Sequence, residues 1–170
     1  MKIIKKLALA LASLVTLSSM AIAGEAKLDG YCPVCYIAAN KAVKGVKEFQ
    51  SEHNGNTYWF VKAAAKEAFD KSPEKFLPQY DGLCAYGVSL GKEFKSDPTQ
   101  FAVVDGKLYL NSSKETQKLF KAAESKTVAS ADTHWKTMKM KKEEMMKKEM
   151  MEKEMMEKEE KMKKEKASKY

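Results

Sequence analysis

The chain contains no arginine. Bidentate recognition of phosphate and of guanine edges leans on that side chain, so nucleic acid is a poor partner despite a formal charge of +8. Histidine is almost missing too. His53 and His134 are the two present, too few for a nucleophile–base–orienter set. No phosphate-cradling glycine loop and no dinucleotide fingerprint occurs, so an enzyme is not the expectation. Long apolar runs are equally scarce. The stretch Leu7 to Leu17 falls short of the roughly 20 residues that span a bilayer. Lys2, Lys5 and Lys6 precede it and Ala21-Ile22-Ala23 follows, the pattern of a cleaved secretory signal over residues 1–23. The expected product is periplasmic or secreted, with no membrane span in the mature chain.

The charge is unevenly spread. Three positive charges leave with the signal, residues 24–135 are nearly balanced, and most of the excess lies beyond them. That middle stretch is about 110 residues, near the common domain size, enough for one modest core and not for two. Its elements can be read coarsely. Pro33 suits the first position of a helix running to about Val43. Val46 to His53 and Thr57 to Val61 flank Asn54-Gly55-Asn56, and Phe101 to Val104 and Lys107 to Asn111 flank Asp105-Gly106, two hairpin signals. Lys62 to Lys71 is an alanine-rich helix, with Pro73 ending it or beginning the next turn, Phe76 to Tyr80 is a connector, and Leu83 to Leu90 holds a helical turn or two. Ser112 with Glu115 forms a candidate capping box for a helix through Ala123, with Leu119 and Phe120 inward. Hairpins separated by helices without strict βαβ alternation predict a small α+β domain. Tyr58, Trp59 and Phe60 read as core, and His134-Trp135 closes the domain.

The three cysteines carry the chemistry. Cys32 and Cys35 stand in Cys-Pro-Val-Cys, and Cys84 in Gly-Leu-Cys-Ala-Tyr. Thiolates select Cu(I) or zinc. Cys32, Cys35 and Cys84 suit trigonal Cu(I), and His53 as a fourth ligand completes a Cys3His zinc set. Oxidation is the other outlet in an exported protein: a local Cys32–Cys35 disulfide or a longer Cys35–Cys84 staple, with one thiol left over. Thiol–disulfide exchange comes third, because Gly24 to Tyr31 makes a poor central strand for a thioredoxin-like frame.

Several blocks in order resemble one family: Asp29-Gly30-Tyr31-Cys32-Pro33-Val34, Lys44-Gly45, Gly55-x-Thr57-Tyr58-x-Phe60, Phe69 through Phe76, Pro78 through Tyr86, and Val104 through Asn111. Together they resemble the YHS-domain family from about Leu28 to Trp135. Its members are small cysteine-containing modules of heavy-metal-transporting ATPases, some multicomponent oxygenases and many exported proteins. The resemblance implies a metal-binding module, copper foremost, that buffers, delivers or resists metal alongside a transport or other periplasmic partner. Cys35 stands at the cysteine of the family's opening motif. Two further family cysteines fall on Val61 and Ala65 and are lost, and the family's hairpin histidine falls on Asn54, one residue from His53.

From Lys136 to Tyr170 the chain is almost wholly Lys, Glu and Met, with nine of the eleven methionines. Glu143/Lys147, Glu144/Lys148, Glu149/Lys153, Glu154/Lys158 and Glu159/Lys163 have the favourable helical orientation. The expected form is a solvated helix of up to about 50 Å at 1.5 Å per residue. The repeated pairs Met145/Met146, Met150/Met151 and Met155/Met156 advance by five residues, about 140° of turn, so they spiral rather than form a seam. Met146/Met150 and Met151/Met155 lie one turn apart, where two thioethers can share a soft ion. A charged low-complexity tail using Met as filler is the plainer reading.

Overall fold

The computed structural model describes residues 25–167; the signal sequence expected over residues 1–23 lies outside them. The fold is α+β, with two separate two-stranded antiparallel sheets, short helices and one long C-terminal helix. Helix α1 (Pro33–Ala39) opens with Pro33 and stops at Asn40, whose left-handed backbone (φ 50°) ends it, as Asn tolerates that conformation. It is therefore shorter than the expected run to Val43. Strands β1 (Val46–His53) and β2 (Asn56–Phe60) pair across Asn54-Gly55. Both turn residues have positive φ, the geometry for which Asn-Gly is selected. Helix α2 (Ala63–Lys71) follows, and Pro73 begins a single 3-10 turn beyond it.

The same series then recurs. Helix α3 (Ala85–Ser89), strands β3 (Asp97–Val104) and β4 (Lys107–Asn111), and helix α4 (Lys114–Ala122) repeat the order helix, hairpin, helix. The correspondence reaches single residues. Leu28-Asp29-Gly30 and Tyr80-Asp81-Gly82 each form three consecutive left-handed residues. Cys32 and Cys84 each precede a helix as its N-cap. The Cys32 amide donates to the Val43 carbonyl at 2.8 Å, and the Cys84 amide to the Phe94 carbonyl at 3.0 Å. Tyr58 packs on Phe69 with centroids 5.2 Å apart, and Tyr109 on Phe120 at 5.3 Å. Each hairpin also carries a register irregularity early in its first strand. Left-handed Leu28 and Tyr80 cost about 1–2 kcal/mol each. Burial of both side chains offsets that strain.

The two units share β4. Side chains of a strand alternate between faces. Leu108 and Leu110 enter one buried cluster with Cys32, Tyr36, Phe60 and Phe69; Tyr109 enters another with Tyr80, Val88 and Phe120. The expectation of one core is thus corrected to two clusters, one on each face of the second hairpin. Tyr36 crosses between units, its hydroxyl donating to the Pro98 carbonyl at 2.8 Å.

Helix α5 (Glu124–Ala167) is 44 residues long, about 65 Å at 1.5 Å per residue. It runs unbroken through position 135, where the domain was expected to end. Thr127 and Ala131 are buried, Trp135 and Met138 pack on the second cluster, and the Tyr80 hydroxyl donates to the Asp132 carboxylate at 2.8 Å. A cleft of about 410 Å³ follows, between Lys27, Asp81, Leu83 and Glu93 on one side and α5 as far as Met146 on the other. Beyond that point α5 is exposed. Of its Glu-to-Lys spacings, Glu160–Lys164 closes to an ion pair at 2.6 Å among the described residues. No helix among the described residues is long and apolar enough to cross a membrane.

Candidate functional site

The first turn of α1 carries the cysteine pair. Cys32 is an N-cap because Pro33 has no amide hydrogen to offer and a fixed φ that suits the next position. Its backbone is extended (φ −71°, ψ 113°), which drives its side chain into the first cluster, where it is fully buried. Cys35 lies one turn on, with its amide donating to the Cys32 carbonyl at 3.1 Å, and is half-buried at the edge of that cluster. Burial, a hydrogen bond with the Cys32 sulfur and the charge of that sulfur push the Cys35 thiol up to about 12; the nearby Lys62 ammonium pulls the other way. A soft cation shared by both sulfurs would favour loss of the thiol protons, since metal competes with protons for the thiolate.

Cys84 occupies the matching seat of the second unit. Its buried sulfur accepts the Gly87 amide hydrogen at an N···S distance of 3.4 Å, so it acts as a helix cap. Gly87 stands where Cys35 stands in the first unit. A β-carbon there would lie 2.6 Å from the Phe94 ring and 3.2 Å from the Lys92 carbonyl oxygen. The second unit holds one thiol and the first holds two. The asymmetry isolates Cys35: Cys32 and Cys84 share the N-cap position, where only the Cys84 sulfur accepts a hydrogen bond, and Cys35 has no counterpart in the second unit.

The remaining candidates are placed differently. His53 ends β1, with Nε2 3.0 Å from Glu74 Oε1 and 3.1 Å from Asn54 Nδ2, and its ring meets Phe69 edge-on. Cys32 and Cys35 are brought together, but no group of three or more Cys, His, Asp or Glu side chains suited to a metal converges among the described residues. No disulfide joins any two of the three cysteines in this structure. Met145, Met146, Met150, Met151, Met155 and Met156 are all exposed on α5. Lys62, the N-cap of α2, entered the sequence reading only as the start of a helix; setting the two units side by side would have singled out the Cys35 corner, where its charge is felt. Comparison of the chain with protein-family models, curated proteins and solved structures found no match.

Proposed function

We propose that this protein is an exported soft-metal carrier of the YHS type, taking up Cu(I) between the sulfurs of Cys32 and Cys35. The observation that carries this reading is the paired thiols of the first unit set against the single capping thiol of the second. Two thiolates are enough for Cu(I), which accepts linear two-coordinate binding and is selected by soft sulfur. Tetrahedral zinc asks for four ligands, which this corner does not gather. One sulfur is buried and anchored on the helix start while the other lies at the edge, an arrangement suited to receiving and passing on an ion. The role is buffering, delivery or resistance, with a metal-transport or other periplasmic protein as the exchange partner. Met146/Met150 and Met151/Met155 add paired thioethers of the same softness.

Competition titration of the reduced full-length chain against a Cu(I) chelator tests this. The expected result is one tightly held Cu(I), lost in Cys35→Ser and retained in Cys84→Ser. Binding should strengthen about tenfold per pH unit for each thiol proton displaced, as long as the pH stays below that thiol's pKa. Equal loss in Cys84→Ser, or none in Cys35→Ser, would overturn the assignment. The adjacency of Cys32 and Cys35 favours one second reading, a local disulfide. Protein isolated from its native compartment with one titratable thiol, and with no copper bound, would establish that reading instead.

A further inference from the structure

Methionine is distributed as unevenly as any residue here. None lies between Met20 and Met138, so neither buried cluster contains a thioether from the two repeated units. Met138 packs beside the second cluster. The eight from Met140 to Met162 all stand in solvent, between 49% and 64% exposed. Methionine more often fills gaps inside proteins, where oxidation to the polar sulfoxide disrupts packing. On α5 that penalty is removed. The five-residue step spreads the thioethers around the helix, so no face is apolar enough to need them. The fold ends its own contacts near Met146, and the two thiols most deeply set, Cys32 and Cys84, are fully buried.

We propose that the exposed part of α5 is a sacrificial and renewable sink for two-electron oxidants of the hypohalous acid and peroxide class. In the step with hypochlorous acid, the methionine sulfur attacks and the O–Cl bond breaks. Sulfur gains the oxygen and gives up two electrons, chlorine leaves as chloride, and the hydroxyl proton goes to water. With hydrogen peroxide the O–O bond breaks and the second oxygen leaves as water. Methionine sulfoxide reductases reverse the product, and a solvated helix presents each sulfoxide to them without unfolding the domain. This reading goes beyond metal carriage and does not depend on it.

The experiment uses metal-free full-length protein and limiting hypochlorite, with thionitrobenzoate as a competing reporter. A variant carries Met→Gln at the eight exposed positions, a change to another good helix former that leaves Met138 and both clusters alone. Once the exposed methionines are saturated, full-length protein should have consumed about eight more equivalents of hypochlorite than the variant, one for each of them, and spared about sixteen of reporter, because each hypochlorite joins two thionitrobenzoates into a disulfide. Peptide mass analysis should place the added oxygen on residues 140–162, with the thermal midpoint unchanged and the mass restored by the two epimer-specific reductases. Equal sparing by the variant would overturn the proposal. So would oxidation of Trp59 or Trp135 ahead of the methionines, or collapse of the fold once they are oxidised.

Discussion

Asn111 ends β4 fully buried, and neither its side-chain nitrogen nor its oxygen has a hydrogen-bond partner. The matching residue of the first unit is Phe60, an apolar member of that core. A buried amide without partners costs about 1–3 kcal/mol, so Asn111→Leu should stabilise the fold by a similar amount. Urea unfolding checks this: the midpoint rises with the slope unchanged, whereas a fall would mean that the amide is satisfied. At the same scale Cys35 shows what the sequence hid. Three cysteines suggested one shared cluster, because spacing along the chain says nothing about two sulfurs that occupy equivalent seats in two units. Cys84 was legible as a thiol, but its role as a cap depends on the Gly87 amide aimed at its sulfur.

Among the elements, both hairpins and α2 were legible, since Asn-Gly and Asp-Gly fix hairpin turns and alanine favours helix. Helix ends were less so. The capping box of α4 sits one residue later than Ser112 suggested: Ser113 Oγ accepts the Thr116 amide hydrogen at 3.3 Å, and Thr116 Oγ1 accepts the Ser113 amide hydrogen at 2.9 Å. With the helix set in that register, Phe120 is buried while Leu119 is half exposed, not inward as expected. Adjacent serines and a glutamate in reach made the wrong register look equally good. Ser113→Ala should therefore cost about 1 kcal/mol and Ser112→Ala much less, read from paired thermal melts. The reverse order would restore the sequence-based register.

For the whole molecule, the repeat was present in the sequence as Asp-Gly-x-Cys, then Asn-Gly or Asp-Gly, then Tyr, then Phe, in the same order twice. The identities are few and widely spaced, and Cys-Pro-Val-Cys drew notice to one unit alone. Helix α5 divides the molecule differently, since its first turns complete the second cluster and its distal part is exposed. A chain ended after Lys147 should keep its thermal midpoint within about 2 °C, less than the shift that 1 kcal/mol gives a domain of this size. It should also lose the far-ultraviolet helical signal of the residues up to Ala167. A clear drop in midpoint would show the distal helix folded back on the domain.

The loop over Gly87 gives the repeat a direction. With Phe94 and the Lys92 carbonyl against that position, Gly87→Cys, which would give the second unit its own thiol pair, cannot be made without shifting the Phe94 ring or the backbone at Lys92. In this unit the position is constrained by shape, whereas the proposed metal role falls on the first unit. Saturation mutagenesis scored for folding and for metal would then separate the halves. Positions around Gly87 would tolerate what preserves the loop, and those around Cys35 what preserves the sulfur.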